Sequence, residues 1–506
     1  MFATWCRMMP EGMATCTTFR ITNCRHRGVL QPAPSLRINL KRSGAYPSWL
    51  AGGPSGKLSS MLAPDLAALR AFRTDLHSCF PRRADALFEL VDALLSAGPV
   101  ASLPHLSLQA AHRRGWGSLY DALAEGALDV EALQVLLTRH TAGDDPAVFA
   151  VDLSVWPRCD AEASPQRGYY YHPSRHSAGQ PIVAGWAYQW LAQLSLTRDS
   201  WTAPLDVRRV HPRQNANAVA VEQIKDLLTR LPQDGAAPLF VFDAGYDSAQ
   251  VTQGLEQFPV AVLVRLRADR CFYADPPPVA PSTKGGRPRS HGPKFACKDA
   301  ATWPTPTAEH CTEDEQYGTV RVRAWAGLHP KQHAHPGLGT RKTRPIVRGT
   351  VVLVEVNRLP ARPYQPQLLW LWWAGPGSPN LELLWRAYVR RFDLEHTLRF
   401  CKQSLGWTTP RLRHPEQADR WTWLVVAAYS QLRLVRPWVI DYRLPWERPL
   451  DPGRLTPSRV RRTLSALLPV VGTPAVAPKP CGRSPGRPTG SRSGHATRYP
   501  ALKKAA

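Results

Sequence analysis

Two short apolar runs end in an aspartate, and they constrain the fold more than anything else in the chain. Ala147-Val148-Phe149-Ala150-Val151 stops at Asp152, and Leu239-Phe240-Val241-Phe242 stops at Asp243. Runs of this length, rich in β-branched and aromatic residues, read as strands buried on both faces. Similar runs at Gly185–Leu196 and Val260–Leu266 read as further strands, and Val219–Leu231 as an amphipathic helix between them. Strands and a helix in this order predict an α/β domain with a mixed sheet.

The texture on either side gives the domain organisation. Residues 1–60 show no sustained period and are expected to be poorly structured, with Met61 as the candidate true start. From 61 to 145 the apolar spacing is helical, through Leu66, Leu69 and Phe72, then Ala86–Leu95, Ser118–Leu123 and Val130–Leu137. The last two of these helices, joined across Gly126, could form a helix-turn-helix that reads DNA, although such pairs also serve as plain packing units. Residues 146–273 hold the first part of the sheet domain. Residues 274–380 read as a β-rich insertion, entered through a Pro-, Gly- and Arg-containing stretch and carrying runs at Thr319–Trp325, Thr350–Val356 and Leu368–Trp373. Residues 381–440 return to helix, and 441–506 form a basic Pro/Arg-rich tail expected to be disordered at its end.

The charge identifies a class of partner. With 64 Lys and Arg against 39 Asp and Glu, the formal net charge is +25, and an excess of that size points to a polyanion. Double-stranded DNA is the expected partner. No apolar run approaches the roughly 20 residues that span a bilayer, so no membrane partner is expected. The ten cysteines contain no C-x-x-C pair and no regular spacing, which argues against both a zinc site and a disulfide framework. A reducing, cytoplasmic location is expected.

Aspartates that follow strands are commonly turn formers or helix caps. Held by a sheet, the same carboxylates are fixed while their heads face a cleft, as hard divalent ions require. The third acid comes from the stretch Tyr388–Lys402. On a helical wheel Tyr388, Arg391, Glu395 and Lys402 fall within an arc of about 60°, beside an apolar stripe of Leu383, Ala387, Leu394, Leu398, Cys401 and Leu405. A solvated charged face, with Glu395 paired to Arg391 or Arg399, would give the same pattern.

The tetrad is spaced Y-x2-R-x3-E-x6-K and followed by Ser404-Leu405-Gly406-Trp407. In this it resembles the signature of bacterial insertion-sequence transposases of the DDE class, over roughly residues 146–435. The stretch Asp243-Ala244-Gly245-Tyr246 resembles the same family's second-aspartate motif, where Gly245 would permit a tight turn. The surroundings of the first acid, Asp152-Leu153-Ser154-Val155-Trp156-Pro157-Arg158, depart from the more polar family pattern. Asp145, Asp160 and Asp247 therefore stand as substitutes. The resemblance implies an RNase H-like catalytic core interrupted by a β-rich insertion. It implies two Mg2+ ions, with Mn2+ as a substitute, held by Asp152, Asp243 and Glu395. It also implies that Tyr388, Arg391 and Lys402 hold phosphates of the element's end, with terminal inverted repeats and target DNA as substrates and a homodimer on DNA. The implied reaction is cleavage of the element's ends and joining of the 3′-OH to target DNA. A stand-alone RNase H-like endonuclease and a domesticated DNA-binding protein without catalysis are the alternatives.

Other features are less specific. Gly286-Arg287-Pro288 and Gly486-Arg487-Pro488 resemble AT-hook cores, so Arg287 and Arg487 are candidate minor-groove contacts, or else charges of a solvated basic linker. Arg265 and Arg267 could line a DNA channel. Trp303 and Trp325 could stack on a flipped base, with core packing as the alternative. The His329, His333 and His335 group lacks an acidic or thiol partner nearby, which argues against zinc.

Overall fold

The computed structural model describes residues 63–506 apart from 173–180, 198, 233, 278–289, 332–344, 360–366, 442, 481–485, 487, 493 and 504–506. The chain separates into two units, Met1–Pro64 and Asp65–Ala506. Residues 1–60 lie outside the described residues, as do Arg287, Arg487, His333 and His335.

The sheet expected from the apolar runs forms around β1 (Val148–Pro157). Its antiparallel neighbour is β3 (Ile182–Leu194), whose far edge takes both β2 (Gly168–Tyr171) and β4 (Thr202–Val210). On its other side β1 pairs in parallel with β5 (Leu239–Phe242), and β5 with β6 (Ala261–Leu266). The order β4-β3-β1-β5-β6, an antiparallel meander followed by two parallel strands, is an RNase H-like core. Its strands are buried because both faces are covered. Phe149 stacks on Phe240 at 5.1 Å within the sheet, and Trp156, Trp186 and Trp190 lie fully buried.

Two features of the sheet differ from the sequence reading. Asp152 does not end its strand: β1 continues to Pro157, held in register from Asp152↔Trp190 to Pro157↔Gly185 by the long partner β3. β4 was hidden because Asp206, Arg208 and Arg209 break its apolar alternation. Asp206 is nevertheless buried, with Arg208 Nε donating to it at 2.8 Å.

The expected β-rich insertion is present and larger than its three runs. β7 (Cys271–Tyr273), β8 (Lys294–Ala296) and β9 (Ala308–Asp314) precede β10 (Gly318–Pro330), β11 (Gly349–Val356) and β12 (Gln367–Ala374). β12 pairs antiparallel with β6, so the insertion extends the core sheet instead of standing apart. Trp303 and Trp325 pack with Phe295 and Trp370 here, and their indole N–H groups donate to Ala296 and Pro304 carbonyls. Trp325 is a core residue of the insertion, and Trp303 packs half-buried against it.

Helices flank the sheet. α1 (Ala63–Ser78), α2 (Ala84–Ser96), α3 (Leu103–Leu106), α4 (Gly117–Glu125) and α5 (Val130–Thr138) come first. α6 (Ala216–Leu228) and α7 (Ser248–Leu255) lie within the core. α8 (Leu381–Arg390), α9 (Phe392–Gln403), α10 (Pro415–Val435) and α11 (Pro457–Val471) follow the insertion. α2 is buried on every side from Ala86 to Leu95 and packs on α10 and α11. The early helices therefore share a core with the late ones. α4 packs on α2 and α10, whereas α5 packs on β4 and presents Glu131 to solvent. Helix α11 falls inside the stretch read as a Pro/Arg-rich tail, and beyond it the Leu502 N–H donates to the Arg167 carbonyl. Among the described residues, no helix is long and apolar enough to cross a membrane.

Candidate active site

Register places the first two acids side by side. In the parallel pair β1 and β5, Phe149 lies opposite Phe240 and Val151 opposite Phe242. One step further along both strands come Asp152 and Asp243, so acids far apart in sequence become neighbours. The Leu153 N–H donates to Asp152 Oδ1 at 2.8 Å and fixes the carboxylate's orientation. After Asp243 the chain turns, with the Tyr246 N–H reaching the Asp243 carbonyl at 3.2 Å, and α7 starts at the Asp247 cap. Asp247 is thus a helix cap, its Oδ1 accepting from Ala249 and Gln250. Gly245 is not demanded by this turn: its φ is not in the left-handed region, and a Cβ there would meet nothing within 4 Å. Asp145 and Asp160 lie elsewhere. Asp145 Oδ1 accepts from the Ala236 N–H, and Asp160 is paired loosely with Arg158 and Arg411.

Glu395 arrives on α9. The stretch Tyr388–Lys402 is not one unbroken helix: α8 ends at Arg390 and α9 begins at Phe392, with Arg391 as the shared cap between them. Leu394, Leu398 and Cys401 anchor α9, as the apolar stripe predicted, and α9 crosses β1, β3 and β4. Thr397 Oγ1 lies 2.9 Å from Thr202 Oγ1 and 3.0 Å from the Tyr429 hydroxyl, a buried polar link that fixes the helix's rotation. The helix ends at Gln403, capped by Ser404, and the chain turns away at Gly406, whose φ is +67° and where a Cβ would lie 2.8 Å from Val100 Cβ. Only glycine suits that left-handed exit. Trp407 then inserts among Trp156, Tyr188 and Trp190 and donates to Thr422 Oγ1 at 2.9 Å.

The three acids meet around one guanidinium. Arg391 is buried, with its side chain 3 % exposed. Its Nη2 donates to Glu395 Oε1 at 2.8 Å and lies 3.8 Å from Asp243 Oδ1, and Nη1 lies 3.6 Å from Asp152 Oδ2. The ring of Tyr388, also buried, sits 5.7 Å from the guanidinium carbon. Arg265 Nη1 approaches Asp243 Oδ1 at 3.8 Å from β6. Lys402 Nζ lies 5.7 Å from the Trp407 ring, and burial holds its pKa below the ordinary lysine value despite the Asp152 charge. Asp152 is pushed up to about 6, first by burial, with Arg391 opposing and the charges of Glu395 and Asp243 adding to the rise. For Arg391, burial disfavours the charge, but Asp152, Tyr388, Asp243 and Glu395 together more than offset it and raise its pKa.

The structure therefore brings together Asp152, Asp243, Glu395, Tyr388, Arg391 and Lys402. Asp393, also on α9, belongs to a separate cluster: it is buried 2.8 Å from Arg390 Nη2, and burial pushes its pKa up to about 7, with Arg390 opposing and Asp199 adding.

Among the described residues, no group of three His, Cys, Asp or Glu side chains is close enough to hold a metal ion at one point. Oxygens of the three acids face Arg391 instead. Their chemistry nonetheless suits a hard divalent ion. Asp243 Oδ1 is a buried atom with no hydrogen-bond donor, so one oxygen of the set is left to accept a further ligand.

No curated protein matches the sequence. A family model does: it covers residues 75–331, which include Asp152 and Asp243 and stop short of Glu395. The match spans half of the chain, and the protein belongs to the DDE superfamily endonucleases.

Proposed function

We propose that this endonuclease is the transposase of a bacterial insertion sequence, cutting the element's ends and joining the released 3′-OH to target DNA. The convergence of Asp152, Asp243 and Glu395 from β1, the end of β5 and α9 onto the buried Arg391 guanidinium carries this reading. Glu395 lies beyond the family match, and it is the acid in direct hydrogen bond with Arg391 of the Y-R-E-K pattern.

Divalent ions, Mg2+ or Mn2+, bound by these carboxylates would lower the pKa of water and stabilise charge on the entering and leaving oxygens of the phosphodiester. The chain's own contribution is placement. β1 and β5 hold the two aspartates in register, Leu153 orients one of them, and α9 sets the glutamate against both. In this reading Arg265 and Lys402, which lie near Asp243 and Asp152, would meet phosphate oxygens, and the net charge of +25 suits a DNA substrate. Terminal inverted repeats and target DNA are the proposed substrates, a homodimer bridging two ends the proposed complex, and the bacterial cytoplasm its location.

The family description, an endonuclease, favours a second reading in which cleavage is not followed by joining. One assay separates them: a labelled duplex carrying the element's terminal repeat, incubated with Mg2+ and a supercoiled target. Transposase activity gives nicks at the repeat boundary and labelled joint products. The endonuclease alone gives nicks without joints. Protein that binds the repeat and never cuts would overturn both.

A further inference from the structure

We propose that Arg391 is the internal competitor of the divalent ions: its guanidinium occupies the ground between the three carboxylates, and ion binding requires it to be displaced from the aspartates. The inference rests on the metal-dependent reading above and deepens it.

The contacts are incomplete in an informative way. One hydrogen bond, from Nη2 to Glu395 Oε1 at 2.8 Å, is formed. The approaches to Asp152 and Asp243, at 3.6 and 3.8 Å, are too long for hydrogen bonds. Arg391 Nε and Nη1 and Asp243 Oδ1 are all buried and make none. Unmet donors carry a desolvation cost and also occur at Arg73 Nε and Arg433 Nε; what sets Arg391 apart is that it approaches two carboxylates without hydrogen-bonding either. Here the cation is tied to the glutamate and held near the aspartates by charge alone. Such a contact can be given up to a stronger cation without breaking a hydrogen bond to either aspartate.

Charge balance points the same way. Asp152, Asp243 and Glu395 are faced by Arg391, Arg265 and, at longer range, Lys402. Three acids against three bases leave little net negative charge to attract a dication. Removing Arg391's charge restores it. Arg391 is thus a positioning residue, which keeps the three acids assembled without an ion and sets how tightly an ion binds.

The test uses the full chain, stripped with EDTA and titrated with Mn2+, with binding read by electron paramagnetic resonance and thermal unfolding followed in parallel. Arg391→Gln removes the charge and Arg391→Lys keeps it. The Gln variant is expected to bind Mn2+ about tenfold more tightly than wild type, and the Lys variant close to wild type. Without an ion the Gln variant should unfold at lower temperature, because three acids then face one another, and Mn2+ should raise its Tm more than that of wild type. Equal or weaker Mn2+ binding by a folded Gln variant would overturn the proposal. So would a Gln variant that is unfolded without the ion and not recovered by it, since ion and guanidinium are held to do the same job. If wild type binds no Mn2+ with or without DNA, the metal-dependent reading fails as well; if only the variants' ordering is wrong, that reading stands and the competition alone is lost.

Discussion

Arg73 and Arg391 are both buried and both held by carboxylates, and they are held differently. In the helical layer, Arg73 of α1 makes a two-pronged pair with Asp92 of α2, at 2.8 and 2.9 Å. It also donates to Gln431 Oε1 of α10 at 2.8 Å and to the Gly472 carbonyl, just past α11, at 3.0 Å. Against the interior strands β1 and β5, Arg391 faces three acids and hydrogen-bonds one. The first arrangement ties early helices to late ones with both carboxylate oxygens engaged. The first leaves one buried donor, Arg73 Nε, unmet; the second leaves two, Nε and Nη1, together with the acceptor Asp243 Oδ1. The more nearly closed network specifies a fold, whereas the more open one is held in readiness for a ligand.

The comparison can be broken first at the open network. Asp243→Asn and Glu395→Gln should each lower cleavage of the repeat duplex on the order of 10^3-fold or more, several kcal/mol of lost transition-state stabilisation. DNA binding and the thermal unfolding profile should stay near wild type. Cleavage that survives either substitution would remove that acid from the site.

The closed network should respond in stability. Arg73→Met leaves Asp92 buried and unpaired, at a cost of about 3–5 kcal/mol. Chemical denaturation would register this as a lower midpoint, with cleavage per folded molecule unchanged. A milder loss would mean that Asp92 takes up a proton when alone, a route its raised pKa already favours through burial.

Arg461 tests the middle ground. It pairs with no acid but donates to the Leu94 carbonyl at 2.9 Å and to Ser404 at 2.8 Å, near the ends of α2 and α9. Burial alone pushes its pKa down to about 10. A guanidinium at two helix C-termini satisfies carbonyls the helices cannot. Arg461→Met should cost about 1–3 kcal/mol. Because Ser404 caps the Glu395 helix, it should also lower the cleavage rate more than it changes DNA affinity. A uniform loss of both would make Arg461 a fold residue only.

What could be read in advance follows the same division. The aspartates were legible because each closes an apolar run, and Glu395 because of its spacing from Tyr388, Arg391 and Lys402. That Asp152 lies inside its strand was not legible, since Ser154 and Pro157 mimic a loop unless the partner β3 is known. β4 escaped because its buried Asp206 and paired Arg208 look like surface residues in a one-dimensional pattern. α11 escaped because Pro457 and Pro469 mark it as non-helical, although Pro457 opens the helix, where a missing N–H costs nothing. Tyr388 and Arg391 were expected to face DNA, yet both are buried, and a helical wheel cannot tell a face turned to a cleft from one closed over by a sheet. Long-range pairing decides each of these cases, and it has no local signature.

The smallest effect sharpens the contrast most. Burial and two neighbouring negative charges push Asp152 up to about 6 from its ordinary 3.8, against the pull of Arg391. An acid whose folded pKa is raised binds its proton more tightly folded than unfolded, so folding stability falls as pH rises through the window between those values. Asparagine is neutral throughout. In EDTA, Asp152→Asn should therefore match wild type near pH 4 and exceed it by up to about 1 kcal/mol at pH 7, with the difference growing between pH 4 and 6. Denaturation midpoints for both proteins across that range would show it. A variant less stable than wild type at pH 7 would mean that Asp152 and Arg391 form a pair as closed as Arg73 and Asp92, and the two networks would no longer differ in kind.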